Sequence, residues 1–306
     1  MKRDIISPAN REVWLQHRLL DVTSTEVSAL FDESPYMTHF TLWHNKRDKV
    51  AEAISDNERM KWGRRLQDAI ARGIAEDHGW RCEPIPEYWR IPEARMGASF
   101  DWRVFDADGR PGILEIKNVD RDIFLRDWKD DEAPAHIEMQ FQQQVHITGY
   151  DWGAIAALVG GNQATVLLRE RDAQVGAGLQ AAIAKFWASI EAGTPPAPDF
   201  MQDADTIRRA YGFAEPGKLL DARGDERVAQ LCAQYTEATA AETAAKEAKN
   251  AARSELLTII GDHEKTLAQG FSISAAMRAG YRVEAYDVEP RRDFRITKSK
   301  PKGAVK

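Results

Sequence analysis

At 306 residues, the chain is long enough to bury one substantial core and still carry an appendage. It has no apolar run long enough to cross a bilayer and no basic-then-apolar leader, so we expect a cytosolic protein without a membrane association. Cys82 and Cys232 lie far apart and outside any paired spacing, which argues against a disulfide framework and a zinc site. We expect both to be buried, reduced thiols.

The net charge of −6 is unfavourable for a protein that binds nucleic acid, because phosphate binding depends largely on Lys and Arg. Any basic groove must therefore be local. The candidate contributors are the tail 291–306, with seven basic residues and one acid, and the side chains of Lys46, Arg47, Lys49, Lys61, Arg64 and Arg65. For each single charge, an ordinary solvated surface is the alternative.

Residues 11–30 have the pattern of two short helices. Thr23 followed by Glu26 forms a capping box that begins the second helix. Thr25 then falls in the first helical turn, where free N–H groups and the helix dipole favour an anion, and Arg18 offers a charge-assisted donor. A phosphate could bind there, although these residues alone fit an ordinary helix terminus beside an exposed arginine better.

Residues 60–79 repeat apolar side chains at Leu66, Ile70 and Ile74 and end at a glycine, so we predict an amphipathic helix. The helix leads into 80–90, where the composition predicts an edge strand interrupted by two prolines. This strand precedes the segment in which the chemistry of the chain is concentrated.

Residues 98–118 predict two strands joined by a turn at an Asp-Gly pair. Alternating apolar side chains give the pair one apolar face, so Asp101, Glu115 and Lys117 can share the other face. Two carboxylates and an ammonium on adjacent strands can hold Mg²⁺ in an oxygen site and polarise a water for attack on a phosphodiester. The pattern predicts nuclease chemistry.

The Asp/Glu-x-Lys pattern is common, and the chain contains it three times, at 115–117, 127–129 and 247–249. Chance would give roughly two in a chain of this composition. Only the first has an upstream strand aspartate and a framing apolar strand, since the second lies in a charged loop over 120–134 and the third in an alanine-rich helix. The triad by itself also fits a solvated hairpin face that carries an ion pair.

Downstream of the charged loop, a helix is predicted over 136–148 with four glutamines that could hydrogen-bond phosphates or base edges. At least two of these glutamines are expected to be ordinary solvated surface. The apolar runs 152–159 and 164–168 predict a hairpin that completes the sheet. A helix over 179–192 then closes the domain before the proline-rich linker 195–198.

The stretch 225–260 predicts one long helix or a broken pair, since no Pro or Gly interrupts apolar positions spaced three and four apart. Its seam has too few large side chains for a coiled coil to be predicted. We therefore expect a domain over 1–200 and a C-terminal extension over 201–306, which comprises the long helix, short strands and the basic tail.

Short motifs follow one another in a characteristic order over residues 10–195. They are Trp14-Leu15 with Arg18, Val22-Thr23-Ser24-Thr25-Glu26-Val27, Ser34-Pro35-Tyr36, Trp62-Gly63, Asp101, Glu115-Ile116-Lys117, Gln140-Phe141-Gln142, Gly149-Tyr150 and Phe186-Trp187. In this order they resemble the YqaJ-type viral recombinase family, which is phage lambda exonuclease-like and belongs to the PD-(D/E)xK nuclease superfamily. The resemblance implies an α/β fold with a PD-(D/E)xK restriction-endonuclease-like core, in which helices flank a mixed central sheet, followed by a helical C-terminal extension.

By similarity to the family, Asp101 and Glu115 would bind Mg²⁺, or Mn²⁺ in its place, with the help of the Ile116 main-chain carbonyl. Lys117 would orient the attacking water and stabilise developing charge. Gln140 would be the helix glutamine that the family places near the metal. The resemblance therefore assigns the two strand carboxylates as metal ligands and the lysine and glutamine as catalytic residues.

The resemblance also implies that Arg18 and Thr25 line a pocket for the 5′ phosphate of DNA. This implication reverses the interpretation favoured by these residues alone, which was an ordinary helix terminus beside an exposed arginine. One departure concerns the helix after Gly63, where the family usually has Glu four residues on and this chain has Gln67, with Asp68 beside it. A neutral amide contributes less charge than a carboxylate, so a second Mg²⁺ site is in question although Gln67 keeps a catalytic position.

The implied function is a metal-dependent exonuclease that digests one strand of linear double-stranded DNA from the 5′ end and leaves a 3′ overhang for phage-type recombination. The alternatives are an endonuclease of the same fold and a non-cleaving DNA-end-binding protein that lost full metal binding at Gln67. The resemblance further implies a homo-oligomer, in the form of a ring-shaped homotrimer, and a single-strand annealing protein as partner. It implies a phage- or prophage-encoded protein in the cytoplasm of a bacterial host cell.

Overall fold

The computed structural model describes residues 2–51, 57–283, 287, 292 and 294–296. The chain divides into two compact units, Met1–Ala210 and Tyr211–Lys306. The domain boundary expected from the sequence lay at residue 200, and the first unit continues past it through a short helix that ends at residue 210.

The first unit contains both helices and strands. Its α-helices are α1 (Arg11–Leu20), α2 (His39–Arg47), α3 (Glu58–His78), α4 (Arg121–Asp127), α5 (Ala135–Thr148), α6 (Ala173–Glu191) and α7 (Ala204–Ala210). Its strands are β1 (Asp4–Ile6), β2 (Val22–Thr23), β3 (Arg81–Pro84), β4 (Tyr88–Ile91), β5 (Met96–Ala98), β6 (Trp102–Phe105), β7 (Pro111–Val119), β8 (Trp152–Val159) and β9 (Gln163–Glu170). Two short 3₁₀ helices lie at Val27–Phe31 and Pro92–Ala94.

The strands of the first unit form two sheets. A five-stranded mixed sheet has the order β3-β6-β7-β8-β9, and a four-stranded sheet has the order β1-β4-β5-β2. In the larger sheet, β6 and β7 are antiparallel, with Trp102 opposite Leu114, and β8 and β9 form a second antiparallel pair. β7 and β8 are parallel, because the chain crosses over between them through α4 and α5. Both hairpins predicted from the sequence are confirmed.

Helices cover both faces of the larger sheet. Ile70 and Ile74 of α3 share a buried cluster with Leu114 on one face, and Phe141 of α5 shares another with Ile113 on the opposite face. Because β7 and β8 are covered on both sides, their apolar residues form near-continuous runs and do not alternate with polar ones. The face of β7 that carries the predicted site is therefore covered by a helix rather than by solvent.

The helices predicted over 11–20, 60–79, 136–148, 179–192 and 225–260 are confirmed, with small differences at their ends. α3 ends where predicted, at Gly79, whose φ of 67° is one that glycine adopts readily.

The prediction of a second short α-helix near the N-terminus is wrong. Val22–Thr23 form strand β2, and a 3₁₀ helix begins only at Val27. The Thr23 N–H does donate to Glu26 Oε2 at 2.9 Å, so half of the capping box forms, but it closes a turn rather than an α-helix. Thr25 lies in this turn, and the helix dipole invoked for an anion is absent because no α-helix begins there.

The segment 80–90 was predicted as one edge strand but forms two strands that belong to different sheets. β3 pairs with β6 at the edge of the larger sheet, whereas β4 pairs with β1 and β5 in the smaller one. Prolines at 84 and 86 interrupt the ladder between them, because proline has no N–H to donate. The predicted loop over 120–134 also differs from the structure, since it contains α4.

Two predictions about surface exposure fail. Cys82 and Cys232 are free thiols but are half-buried rather than buried. Lys46, a candidate for a DNA-binding groove, has a side chain only 2 % exposed and pairs with Glu26 at 2.7 Å. It is therefore unavailable to a nucleic acid and acts within the fold.

The second unit is built on α8 (Glu226–Ile260), a single unbroken helix of 35 residues. An antiparallel hairpin follows, formed by β10 (Lys265–Ala268) and β11 (Phe271–Ser274). The basic tail 291–306 lies mostly outside the described residues, so its DNA contact stays a prediction. In the part of the chain that the structure describes, no helix combines the length and the apolar character needed to cross a membrane.

Candidate active site

The structure brings Asp101, Glu115 and Lys117 together at the N-terminal end of strand β6. β6 begins at Trp102, so Asp101 lies just outside the strand, while Glu115 and Lys117 are two residues apart on β7 and share one face. The Ile116 N–H donates to Asp101 Oδ2 at 2.8 Å. Because the β6 ladder has ended, this side-chain hydrogen bond takes the place of a strand partner and holds the Asp101 carboxylate at the site.

The same hydrogen bond determines the direction of the Ile116 carbonyl. The N–H and C=O of one residue point to the same side of an extended strand. Since the Ile116 N–H points to Asp101, its carbonyl points toward that side too and away from β8. A third oxygen thus lies on the side of β7 where the Asp101 carboxylate is found.

Helix α5 covers the carboxylates with amide side chains. Gln140 Nε2 donates to Glu115 Oε1 and Gln144 Nε2 donates to Glu115 Oε2, both at 2.7 Å. Lys117 Nζ also donates to Glu115 Oε1 at 2.7 Å and to Gln140 Oε1 at 3.0 Å. Glu115 is only 3 % exposed, and these three donors stabilise its carboxylate where water cannot.

Gln144 was not among the site residues predicted from the sequence. The sequence does contain a signal that could have identified it, because Gln140 and Gln144 are four residues apart and so lie on one face of a helix. The expectation that at least two of the four glutamines are solvated surface is wrong. Gln143 is buried and donates to two main-chain carbonyls, and Gln142 donates to a third.

The electrostatics of the site differ between its two carboxylates. Burial, and then the charge of Glu115, raise the pKa of Asp101 to about 7, although Lys117 and hydrogen bonds from Ile116 and Gln67 act in the other direction. Burial would lower the pKa of Lys117, but the charges of Glu115 and Asp101 outweigh it and raise that pKa. Two carboxylates and one ammonium leave excess negative charge in a poorly solvated site, which favours a divalent cation.

Gln67 and Asp68 occupy different environments on α3. Gln67 faces Asp101 and helps to lower the pKa of that carboxyl. Asp68 lies on the exposed surface and accepts from Arg72 Nε at 3.0 Å, so it does not take the place of the carboxylate that Gln67 lacks. Among the described residues, no three His, Cys, Asp or Glu side chains gather as a metal site.

Arg18 and Thr25 are also brought together by the fold. Arg18 Nη2 donates to Thr25 Oγ1 at 3.1 Å, and the guanidinium carbon lies 4.6 Å from the centroid of the Trp14 ring. Beneath them, the buried Lys46 Nζ donates to Glu26 Oε2 at 2.7 Å and to the Arg18 carbonyl at 2.8 Å. A buried ion pair therefore orders the turn that carries Thr25.

A cleft of about 760 Å³ joins the two groups of residues. Thr25 lines it together with Lys117 and Gln140. Tyr36, whose side chain is 76 % exposed, also lines the cleft, and its ring meets the His136 ring edge-on at 5.9 Å between centroids. The predicted phosphate-binding residue and the predicted catalytic lysine thus open onto the same space.

Ser99 connects the two groups below the cleft. Its hydroxyl accepts from Trp14 Nε1 at 2.9 Å, and its main-chain carbonyl accepts from Gln144 Nε2 at 3.1 Å. Trp14 supports the guanidinium of Arg18, and Gln144 holds Glu115. The phosphate-binding pair and the carboxylate centre are therefore linked by direct contacts as well as by a shared cleft.

Residues 13–151 match the family model of the YqaJ-like viral recombinase domain. The match covers 139 of the 306 residues, a little under half of the chain. All the predicted site residues, from Arg18 to Gln140, lie within the matched segment. The uncharacterized protein YqaJ of Bacillus subtilis (strain 168) is 26 % identical over 257 residues, which span 82 % of this chain and 79 % of that protein. The resemblance to the YqaJ-type family is confirmed.

Two solved structures match parts of the chain, and the first of them has a similar fold. An alkaline exonuclease from Laribacter hongkongensis, LHK-Exo, is similar with a TM-score of 0.50 and 20 % identity, over 65 % of this chain and 97 % of that one. A phage-related exonuclease from Haemophilus somnus 129PT matches with a TM-score of 0.41 and 13 % identity, over 57 % of this chain and 96 % of that one. The likeness to LHK-Exo agrees with the mixed α/β fold of the first unit.

Proposed function

We propose that this chain is a metal-dependent exonuclease with a PD-(D/E)xK core, which digests one strand of linear double-stranded DNA from the 5′ end and leaves a 3′ overhang. The observation that carries the proposal is the shared cleft, which Thr25 lines together with Lys117 and Gln140. An exonuclease needs a group that recognises the terminus close to the group that hydrolyses the phosphodiester. The YqaJ-like domain and the likeness of its fold to an alkaline exonuclease support the same activity.

The residues at the carboxylate centre fit Mg²⁺. Asp101 and Glu115 supply carboxylate oxygens, and the Ile116 carbonyl points to the same side of β7 as its N–H bond to Asp101. Burial, and then the negative charge of Glu115, raise the pKa of Asp101, and a divalent cation bound there would offset both effects. Bound there, Mg²⁺ or Mn²⁺ would act as a Lewis acid toward the phosphodiester and lower the pKa of a bound water.

Lys117 serves in this proposal as a hydrogen-bond donor to the attacking water and to the charge that develops on phosphate. Its raised pKa keeps the ammonium protonated at neutral pH, so it cannot act as the base. Gln140 accepts from Lys117 at 3.0 Å and donates to Glu115 at 2.7 Å, so it sets the positions of both groups. Gln67 holds Asp101 from α3 and contributes no charge of its own.

Arg18 and Thr25 bind the terminal 5′ phosphate in this proposal. The Arg18 guanidinium can offer parallel donors to phosphate oxygens, and the Thr25 hydroxyl, already 3.1 Å from it, adds another. A phosphate anchored there would align the strand that ends with it along the cleft toward Lys117. This arrangement accounts for digestion that begins at the 5′ end.

Digestion of end-labelled linear duplex DNA beside a covalently closed circle, with Mg²⁺ and with EDTA, tests the proposal. We expect Mg²⁺-dependent loss of the 5′-labelled strand end and an intact circle. Cleavage of the circle would indicate an endonuclease, and binding of ends without cleavage would indicate an end-binding protein. Lys117→Ala is the matched control, since it should abolish cleavage and leave DNA binding nearly unchanged.

The proposal extends to assembly. By resemblance to the family, the chain would form a ring-shaped homotrimer that encircles DNA and would hand its 3′ overhang to a single-strand annealing protein. Such an assembly would work in the cytoplasm of a bacterial host on phage or prophage DNA. Mass measurement of the purified chain tests the trimer, and co-purification with the annealing protein tests the partner.

A further inference from the structure

Helix α8 has a face of heptad-spaced residues that the described part of the chain leaves exposed. In heptad notation, the a positions are Val228, Tyr235, Glu242, Lys249 and Leu256, and the d positions are Leu231, Ala238, Ala245, Ala252 and Ile259. All ten are exposed, and Ile259 is 71 % exposed. We call this face the seam.

Two described residues near the C-terminus, Phe294 and Ile296, pack on a different face of the helix. Phe294 contacts Tyr235 at 5.6 Å between ring centroids, and Ile296 lines a groove that includes Thr236, Thr243 and other residues on that side. At about 100° per residue, the groove is centred roughly 140° around the helix from the seam. The described part of the tail therefore leaves the seam open, apart from Tyr235 at its border.

We propose that two copies of this chain pair through the seam, with their α8 helices antiparallel. In this register every a residue meets a d residue of the other copy. Val228 packs on the partner's Ile259, and Leu231 packs on the partner's Leu256. Large apolar side chains therefore meet at both ends of the helix, which spans about 50 Å.

Small side chains occupy the middle of the paired helices. Tyr235 faces the partner's Ala252, and the charged Glu242 and Lys249 face the partner's Ala245 and the partner's Ala238. In this middle part, each bulky or charged seam residue is thus opposite an alanine, so the helix axes can approach closely there without burying a charge beneath a large side chain. This size pattern compensates for the scarcity of large residues in the seam.

Charge selects the antiparallel orientation over the parallel one. In the antiparallel pair, Glu242 lies beside the partner's Lys246 and the partner's Lys249, and the same contacts recur by symmetry. In a parallel pair, Glu242 would face the partner's Glu242 and Lys249 would face the partner's Lys249. Like charges at a positions repel each other, so the parallel pair is disfavoured. The occupant that the seam fits is therefore a second copy of this chain.

Sedimentation equilibrium of the full chain tests the proposal through the pair of substitutions Leu231→Asp and Leu256→Asp. We expect the mass of the assembly to fall by half. The matched control, Ala233→Asp with Ser254→Asp, adds the same charges to α8 outside the seam and should keep the original mass. Any assembly through the first unit affects both proteins alike, so it cancels in the ratio. Equal masses of the seam variant and the control, at equal helicity by circular dichroism, would overturn the proposal.

A distance measurement tests the orientation. A spin label at Ala229→Cys, in a chain that also carries Cys82→Ser and Cys232→Ser, lies outside the seam. Antiparallel pairing separates the two labels by about 45 Å, because position 229 lies opposite position 258 of the other copy, about 29 helical steps of 1.5 Å away. Parallel pairing would bring them within roughly 10 to 15 Å. A short distance would exclude the antiparallel pair even if the seam variant dissociates.

Charge reversal supplies a rescue experiment. Glu242→Lys should weaken the association at least tenfold, since it places three lysines together in the middle of the pair. Adding Lys246→Glu and Lys249→Glu to the same chain restores opposite charges and should recover the association. If the triple variant associates no better than Glu242→Lys alone, charge complementarity does not hold the pair and the proposal fails.

Discussion

At the scale of single residues, the two carboxylates of the site are stabilised to different degrees. Glu115 accepts from Lys117, Gln140 and Gln144, all at 2.7 Å. Asp101 accepts from the Ile116 N–H at 2.8 Å, and it is buried beside the Glu115 charge, which raises its pKa to about 7. Without a cation, an ionised Asp101 therefore destabilises the folded state, as is common where a site is built for its ligand.

Asp101→Asn should stabilise the metal-free protein at high pH. A carboxyl group whose folded-state pKa exceeds its unfolded value of about 4 stabilises the fold most at low pH, and this contribution is lost as pH rises from about 4 to about 7. The asparagine side chain does not ionise, so the variant avoids this fall in stability as the pH rises. In EDTA at pH 8 we expect a gain of about 1 kcal/mol or more, measured by urea denaturation, and a smaller difference near pH 4. A pH-independent difference would contradict the role of this titration.

Gln144→Leu should weaken metal binding because it removes the donor to Glu115 Oε2 and leaves a buried carboxylate oxygen without that partner. Side chains that hold metal ligands in place are typically worth a factor of about 10 to 100 in metal affinity, so the Mg²⁺ concentration for half-maximal cleavage should rise by about tenfold. Gln142→Leu is the control, since its amide donates to the Glu170 carbonyl away from the site. Identical Mg²⁺ titrations for both variants would assign Gln144 to packing alone.

At the scale of elements, the phosphate-binding pair depends on a turn rather than on a helix. The turn before the 3₁₀ helix Val27–Phe31 is held by Glu26, which accepts from the Thr23 N–H at 2.9 Å and from the buried Lys46 at 2.7 Å. Burial would raise the pKa of Glu26, but the charges of Lys46 and Arg18 outweigh it and lower that pKa. The carboxylate therefore stays ionised and keeps Thr25 in place.

Arg18→Ala should slow digestion of 5′-phosphorylated ends by about tenfold to a hundredfold, since charge-assisted hydrogen bonds are worth roughly 1.5 to 3 kcal/mol each. Ends with a 5′ hydroxyl lack the ligand, so the substitution should cost them much less. The rates of the two proteins on the two kinds of end form a thermodynamic cycle. A general loss of DNA affinity affects both kinds of end equally and therefore cancels. Equal slowing of both kinds of end would make Arg18 a general backbone contact and would remove the support for 5′ polarity.

At the scale of the whole molecule, the first unit closes through a segment beyond the proline-rich linker. Asp203 is fully buried and accepts from the Thr38 and Thr41 hydroxyls, the latter at 2.9 Å. Its second oxygen accepts from the Asp199 N–H at 2.8 Å. These contacts attach α7 to the N-cap of α2, so the first unit ends with Ala210 and not at the linker.

A chain truncated after residue 210 should fold and cleave linear DNA, because Met1–Ala210 is a compact unit that contains every predicted site residue. A chain truncated after residue 200 lacks Asp203 and leaves the half-buried hydroxyls of Thr38 and Thr41 without their acceptor. We expect it to be less stable by roughly 3 kcal/mol, and to melt at a temperature several degrees lower. Thermal denaturation of the two chains provides the comparison, and equal melting temperatures would show that α7 is not part of the folded unit.

The sequence by itself determined the features that depend on neighbours along the chain. Hydrophobic periodicity and the positions of Gly and Pro predicted α3, α5, α8 and both hairpins of the larger sheet. The same local pattern placed Asp101, Glu115 and Lys117 on one face of a strand pair, because strand side chains alternate. The order of short motifs pointed to a resemblance to the YqaJ-type family, which the match over 13–151 confirms.

Only the tertiary structure decided which distant residues meet. The segment 80–90 divides between two sheets, Lys46 is buried against Glu26, and Gln144 reaches Glu115 from another element. Propensity and periodicity are local, whereas strand pairing and burial depend on contacts between residues far apart in the chain. The local sequence around a polar side chain therefore does not distinguish an exposed position from a buried one. For that reason the sequence could propose Arg18, Thr25 and Lys117 separately. The folded chain was needed to place Arg18 against Thr25 and to bring Thr25 and Lys117 to one cleft.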